Sequence, residues 1–393
     1  MRHLIHREST CCLVALLALA CDGASPNDRL DDSSGPVAWA AVGNGTYNNC
    51  AITAAGSAYC WGFDVVTGCT QNACAVWTAP TAVAGATQTF ASVSTGGGFA
   101  CAVATTAQAF CWGYFLPHGL GDGVTGASAS PARVSIAAPI REVKAGYRQA
   151  CALTVDSVAY CWPTSTDPLP EKVPTTVRFK TISPGGTQVC GVDATDDAYC
   201  WGGGFGSLGI GARDTACASS PSCFDSPVPQ LVDGGMKWGS ISAGNTFTCG
   251  ITLDHRGFCW GAVLDPAYDD LLGVLGNGTI TGSKSPVPVS GGLAFKQIAT
   301  GTRHACGLTV DGTAYCWGMN NTSQLGVGTL GPGATTPQRV VGSLTFESIS
   351  VAEDTCGVTI HKNIFCWGTP PAGAGAYLGQ PNSIPARLAS PRP

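Results

Sequence analysis

The chain has 393 residues, of which 45% are hydrophobic and only 11% charged, with 53 glycines, 25 prolines and 21 cysteines. Low charge and high apolar content argue against a disordered chain. A net charge of -5, from 20 basic against 25 acidic residues, argues against the phosphate-dominated affinity of a nucleic-acid binder. So many cysteines point away from a reducing cytosol, and abundant glycine and proline imply many turns, so a secreted β-protein is favoured.

Residues 1–20 read as an export signal. Arg2 and Arg7 supply the positive start, and Cys11 to Ala20 form an apolar run about half as long as the ~20 residues a bilayer span needs. Ala18-Leu19-Ala20 before Cys21 suits an ordinary signal peptidase or a lipoprotein peptidase. It is similar to a bacterial lipobox, with Ala18 where leucine is usual. Cysteine arithmetic favours the second enzyme. Without Cys11 and Cys12, 19 cysteines remain; lipidation of Cys21 leaves 18, which can all pair. Residues 21–36, rich in Asp, Ser, Gly and Pro, then form a tether, and residues 37–393 a single repeat domain.

From there one unit recurs seven times. Cysteines ten apart stand at Cys50 and Cys60, Cys101 and Cys111, Cys151 and Cys161, Cys190 and Cys200, Cys249 and Cys259, Cys306 and Cys316, and Cys356 and Cys366. Each second cysteine follows Tyr or Phe and precedes Trp, as in Cys306-Gly-Leu-Thr-Val-Asp-Gly-Thr-Ala-Tyr-Cys-Trp-Gly318. The unit reads as a β-hairpin. Val310-Asp311-Gly312 suits a three-residue loop with a left-handed glycine. Counting outward, Thr309 faces Thr313, Leu308 faces Ala314, Gly307 faces Tyr315 and Cys306 faces Cys316, so the two sulfurs are within reach of each other. The residue facing each aromatic is always small: Ala51, Ala102, Ala152, Gly191, Gly250, Gly307 and Gly357. Glycine holds the left-handed position only at Gly56 and Gly312. Asp196 tolerates it, while Ala107, Ser157, His255 and Lys362 fit less well, which leaves room for another loop of the same odd length in those repeats.

A strand-like segment precedes each first cysteine, such as Phe295 to Gly301 or Trp238 to Gly244. Further upstream stands Pro-x-x-(Val/Leu), at Pro80, Pro131, Pro170, Pro229, Pro286, Pro337 and Pro385. Proline at the start of an edge strand withholds no ladder hydrogen bond. Four short strands per unit make a propeller blade. The first hairpin has no such proline strand before it, and Pro385-Ala-Arg-Leu388 has no hairpin after it. The expected fold is therefore all-β, a seven-bladed β-propeller whose C-terminal strand joins the N-terminal blade to close the ring.

These units resemble the regulator of chromosome condensation repeat. The resemblance rests on Tyr-x-Trp-Gly, the Asp-Gly turn and a Gly-x-Leu-Gly motif. That motif stands here as His118-Gly-Leu-Gly-Asp-Gly123, Gly206-Ser-Leu-Gly-Ile-Gly211, Gly273-Val-Leu-Gly-Asn-Gly278, Ser323-Gln-Leu-Gly-Val-Gly328 and Tyr377-Leu-Gly-Gln380. The first and third repeats lack it. The resemblance covers about residues 37 to 390 and implies the family's seven-bladed propeller. It does not fix a function, because members serve as nucleotide exchange factors, light sensors, enzyme inhibitors and adhesive modules.

Zinc would need four converging ligands, and a hairpin pair brings only two, so disulfides are expected at the fourteen hairpin cysteines. Each small ring would contribute about 2.5–3 kcal/mol by loop entropy. Cys69 with Cys74, and Cys217 with Cys223, are expected to close locally in the loops after Trp-Gly. Trp61, Trp112, Trp162, Trp201, Trp260, Trp317 and Trp367 are expected to pack blade against blade.

Catalytic chemistry finds little support. His255 and His361 sit on different hairpin loops, and His118 opens a glycine-rich loop. His304 occupies a slot filled elsewhere by Asn48, Phe99, Gln149, Gln188, Phe247 and Asp354. Asp265, Asp269 and Asp270 lack the order of a calcium loop. Gly202 to Gly206 is not a phosphate loop. Arg141, Lys144 and Arg148 are too few for a basic patch. No catalytic residue, cofactor, metal or nucleic acid is expected. Loop lengths differ sharply: Trp201 to Pro229 and Trp260 to Pro286 are long, Trp162 to Pro170 short. Residues 203–228 and 261–285 are therefore the expected recognition surface, with the Cys217 and Cys223 pair stiffening one wall. The leading expectation is a monomeric, non-enzymatic lipoprotein of a bacterial envelope, in the outer membrane, binding an unknown protein or envelope ligand. Secretion is the alternative location. An enzyme with its site at the propeller mouth is the second reading, a structural surface-layer component the third. A nucleotide exchange factor fits an exported chain least.

Overall fold

A computed structural model describes residues 30, 32–33, 35–63, 76–114, 119–162, 167–204, 206–213, 226–263, 273–368 and 382–391. The export signal, Cys21 and most of the tether lie outside these residues. So do the four loop cysteines: the expected closures of Cys69 with Cys74 and of Cys217 with Cys223 both fall outside the described residues.

Seven four-stranded antiparallel sheets follow one another along the chain. Blades 1 to 7 begin at Trp39, Phe90, Ile140, Phe179, Trp238, Phe295 and Phe346. Blade 6 shows the pattern: Phe295–Thr300, His304–Thr309, Ala314–Gly318 and Ala334–Arg339 are its first to fourth strands, paired in that order. The hairpin register is the one the sequence implies, with Cys306 opposite Cys316, Gly307 opposite Tyr315 and Leu308 opposite Ala314. All seven hairpin pairs are disulfides. In chain order, Cys50 is bonded to Cys60, Cys101 to Cys111, Cys151 to Cys161 and Cys190 to Cys200. Cys249 is bonded to Cys259, Cys306 to Cys316 and Cys356 to Cys366. The loop is also the same in every blade. Ala107, Ser157, Asp196, His255 and Lys362 take positive φ of 60–68°, where Gly56 and Gly312 sit at 83° and 87°. No second loop type is used, because the odd count and the disulfide leave the chain one way to turn.

Two expectations are corrected. The proline strand does not lead each unit; it is the fourth strand of the blade before it, pairing with the third strand at Cys60–Thr81, Cys316–Gln338 and Cys366–Ala386. Nor does the C-terminal strand join the N-terminal blade. Asn382–Arg387 pairs with Ile364–Gly368 of blade 7, while Trp39–Asn44 pairs with blade 1's own second strand. Each blade is a complete meander, so neither end of the chain lacks a strand to exchange. The prolines sit where the ladder is bulged, between the partners of Cys316 and Gly318 in blade 6.

The ring closes face to face instead. At every seam the disulfide side of one blade meets the aromatic side of the next. Cys50 and Cys60 pack with Phe90 and Trp112, Cys101 and Cys111 with Ile140 and Trp162, and Cys151 and Cys161 with Phe179 and Trp201. Cys190 and Cys200 pack with Trp238 and Trp260, Cys249 and Cys259 with Phe295 and Trp317, and Cys306 and Cys316 with Phe346 and Trp367. Cys356 completes the circle against Trp39 and Trp61. The expected blade-to-blade role of the tryptophans is what the core shows. Within a blade the aromatics interlock, as where Phe179 lies 6.2 Å from Tyr199 and 5.4 Å from Trp201. The seam between blades 7 and 1 carries a further polar clasp. Asp32 accepts hydrogen bonds from Thr359 and Asn363 at 2.7 Å and pairs with His361 at 2.9 Å. Trp39 N–H donates to the Lys362 carbonyl.

The Gly-x-Leu-Gly motif acquires a physical reason here. Leu208, Leu275 and Leu325 are buried, and the glycine after each turns at positive φ against the next blade's tryptophan. A Cβ on Gly209 would lie 2.7 Å from Trp260 Nε1, and one on Gly276 equally close to Trp317 Nε1. The indole N–H groups donate to the Ser207 and Val274 carbonyls at 2.9 and 3.0 Å. The motif is thus a seat for the neighbouring tryptophan.

Candidate functional site

The first strands end around the propeller axis, and their turns enclose an open funnel of about 400 Å³ counting its mouth. Residues from all seven blades line it, from Asn44, Gly45 and Thr46 of blade 1 round to Val351 and Ala352 of blade 7. The innermost position is glycine in six blades: Gly45, Gly96, Gly146, Gly185, Gly244 and Gly301. The cause is close approach. A Cβ on Gly244 would stand 2.7 Å from the Gly301 carbonyl, and one on Gly301 would fall on that of Ala352.

These carbonyls form a belt. The residue after the glycine donates its N–H to the next blade's glycine carbonyl at Thr46→Gly96, Tyr147→Gly185, Gly186→Gly244 and Asn245→Gly301, and Thr302 donates to Ala352. Gly97 and Glu353 do not make the corresponding bond to Gly146 and Gly45. The belt is closed from blade 3 through to blade 7 and broken at the seams 2/3 and 7/1.

The connections between third and fourth strands start on this same face. Tyr114, Gly203, Ala262 and Met319, each just past a third strand, donate to the carbonyls of Gly98, Thr187, Thr246 and Arg303 in the axial turns. Both long loops, 203–228 and 261–285, therefore leave from the rim of the funnel, although residues 205, 214–225 and 264–272 lie outside the described residues. The expected stiffening of one loop wall by Cys217 and Cys223 falls within that undescribed stretch. The hairpin loops lie on the opposite face. Asp32 of the tether is bound there, to Thr359, His361 and Asn363.

The histidines do not converge. His255 and His361 are on the hairpin face, where His255 Nδ1 meets the Phe295 carbonyl at 3.0 Å. His118 is outside the described residues, as are Asp265, Asp269 and Asp270. His304 is buried in the seam between blades 6 and 7, its Nε2 2.8 Å from Thr355 Oγ1, and burial holds its pKa down at about 3. Its slot is structural throughout. Gln149 and Gln188 use it to donate to the next blade's carbonyls, and Asp354 uses it to receive Asn44 and Asn49, both at 2.9 Å. Burial pushes Asp354 up to about 7, against the two amide donors. Arg141, Lys144 and Arg148 form no patch. Arg141 clasps the Phe179 and Lys180 carbonyls on the hairpin side, Lys144 lies 3.9 Å from Glu142, and Arg148 sits over the Tyr147 ring at the funnel. No imidazole or carboxylate side chain is among the described residues lining the funnel. No cluster of three or more potential metal ligands occurs among the described residues.

Sequence reasoning passed over two tyrosines, Tyr147, which lines the funnel, and the exposed Tyr47 beside it. They come from blades 1 and 3 and meet over the turn of blade 2, which is Gly96-Gly97-Gly98. A Cβ on Gly97 would be 3.3 Å from Tyr147 Cδ2 and one on Gly98 3.8 Å from Tyr47 Cδ2. The two phenols hydrogen-bond, and the Tyr147 phenol, then partial burial, push Tyr47 above the ordinary phenol range. The signal was available as a tri-glycine turn flanked, one repeat away on either side, by tyrosine.

The comparisons agree with this fold. Models of the regulator of chromosome condensation repeat match residues 295–324 and 311–359. The human regulator of chromosome condensation is 33% identical over 121 residues, 31% of this chain, and the ultraviolet-B receptor of Arabidopsis thaliana 37% identical over 59 residues, 14% of this chain. Those stretches span only 26% and 13% of the relatives' own lengths. Prp20p of Saccharomyces cerevisiae, whose structure is described with its binding to Gsp1p and histones, superposes with a TM-score of 0.67 at 16% identity, over 79% of this chain and 80% of its own. The ectodomain of the Arabidopsis thaliana receptor kinase ACR4 superposes at 0.54 and 18% identity, over 90% of this chain and 99% of its own. The chain is thus a seven-bladed propeller with a disulfide in each blade, and its residues 295–359 match the regulator of chromosome condensation repeat.

Proposed function

We propose that this chain is a non-enzymatic binding propeller, lipidated at Cys21 and held at a bacterial envelope membrane with its loop face turned away from the bilayer. The observation that carries the reading is the polarity of the ring. Its tether is clasped at Asp32 on the hairpin face, while the funnel and both long loops open on the other. Recognition loops on a rigid scaffold are a common arrangement for binding. The receptor-kinase ectodomain shows the same fold at 18% identity. Prp20p is described as binding Gsp1p and histones, and a net charge of -5 disfavours nucleic acid as the partner of this chain. The test is to replace residues 203–228 and 261–285 by short turns and capture partners from envelope extracts. Loss of a captured partner with unchanged thermal unfolding is expected; unchanged capture would overturn the reading. Mass measurement of the mature N-terminus checks the lipid on Cys21 separately.

A further inference from the structure

The funnel is not equivalent around its circumference. From blade 3 to blade 7 the axial turns are tied to one another by the backbone belt. In the remaining sector, across blades 7, 1, 2 and 3, the belt holds at the 1/2 seam and is broken at the 7/1 and 2/3 seams. Among the described residues, Gly97 N–H and Glu353 N–H there are donors without the belt's partner, and the Gly45 and Gly146 carbonyls are acceptors without it. Asn44, only 5% exposed, lines the same sector, and its Oδ1 is buried with no hydrogen-bond partner. Asn44 Oδ1 is buried and unpaired, at a cost of about 1–3 kcal/mol, while Gly97 and Glu353 are only half-buried. The Tyr47 and Tyr147 rings stand over the tri-glycine turn, with Arg148 5.6 Å from the Tyr147 ring and both Arg148 and Glu353 near Tyr47.

We propose that this sector binds a neutral sugar ring, stacked on the tyrosine pair with its hydroxyls on the amide and carbonyl groups that the belt leaves open. The proposal rests on the binding reading above and names the ligand class of that site. Each hydroxyl both gives and accepts a hydrogen bond, which suits a set holding donors and acceptors together. The opposed charges of Arg148 and Glu353 give an anion no advantage. An extended peptide fits less well, since the free groups curve round an axis and do not run along a strand edge. Tyrosine offers a large face and a polar tip for such stacking.

The test uses the full chain carrying Cys21→Ser, disulfides intact, with ¹³C-labelled tyrosine. Methyl α-mannoside, methyl β-glucoside, methyl β-galactoside and di-N-acetylchitobiose are titrated one by one while the tyrosine ring signals are followed by NMR. At least one should give saturable shifts at Tyr47 and Tyr147, weakened about tenfold or more by Tyr147→Ala, which corresponds to ~1.4 kcal/mol. Tyr47→Phe, which keeps the ring and removes the hydroxyl, serves should the first variant misfold, and should weaken binding by several-fold. Absence of saturable shifts with all four sugars, saturation elsewhere, or saturation indifferent to both variants would overturn the proposal. If loop replacement still abolishes partner capture in that event, the binding reading stands and the sugar does not.

Discussion

The seam slot that holds His304 and Asp354 makes an unusual prediction about pH. Burial lowers His304 to about 3 and raises Asp354 to about 7, against unfolded values near 6.5 and 3.9. For His304 the unfolded chain binds the proton more tightly, so stability falls as pH drops from about 6.5 to 3. At 1.36 kcal/mol per unit, that is ~5 kcal/mol in all. For Asp354 the folded chain binds the proton more tightly, so stability falls as pH rises from about 4 to 7, by ~4 kcal/mol. Between pH 4 and 6.5 the two slopes are opposite and nearly equal, so their sum is flat. Each single variant uncovers the other slope. Asp354→Asn should gain stability with rising pH, relative to the parent, by about 1.4 kcal/mol per unit, and His304→Gln should lose it at the same rate. The double variant should be flat again. Both replacements have precedent in the same slot, at Asn48 and at Gln149 and Gln188. Asn44 Oδ1, now unpaired, can accept from the new amide if its own amide turns over. Guanidinium unfolding of the four proteins at pH 4, 5 and 6, disulfides intact, gives the differences directly. Parallel curves for parent and single variants would refute the reasoning.

Two further outcomes follow from the packing. Trp317 Nε1 has a carbonyl partner, whereas Trp367 Nε1 is buried without one, so Trp317→Phe should cost about 1 kcal/mol more than Trp367→Phe in the same denaturant assay. Gly301→Ala drives a methyl into the Ala352 carbonyl of the next blade and should lower the thermal midpoint by several degrees, while Ala352→Gly, at the equivalent position of blade 7, should change it little.

Much of this architecture was legible because it repeats locally. A spacing of ten between cysteines with an odd loop allows one register, and that register puts Cys306 against Cys316 and Tyr315 against Gly307. The identity of the blade to which each proline strand belongs was not legible. Pro337 lies between two hairpins, that of Cys306 and Cys316 and that of Cys356 and Cys366, and alternating strands carry no label saying which one they pair with. The ring's closure inherited that ambiguity. The funnel was hidden for a different reason. Its belt is backbone meeting backbone, so its trace in the sequence is a glycine five positions before the first cysteine, easily taken for a turn. Tyr47 and Tyr147 stand at turn positions that the other blades fill variously, and only the ring brings them over the same tri-glycine.

The disulfides each close a hairpin within one blade, and none among the described residues bridges two blades. Covalently the described domain is a string of seven sealed tiles, threaded by a single strand of chain at six joints and by nothing at the seventh. Oxidation therefore fixes the tiles and leaves the necklace unclasped. Pulling on the tether would load Asp32, which sits at the one joint without a thread. Mechanical force should thus open the ring there, with every tile still intact, before it unravels any of them.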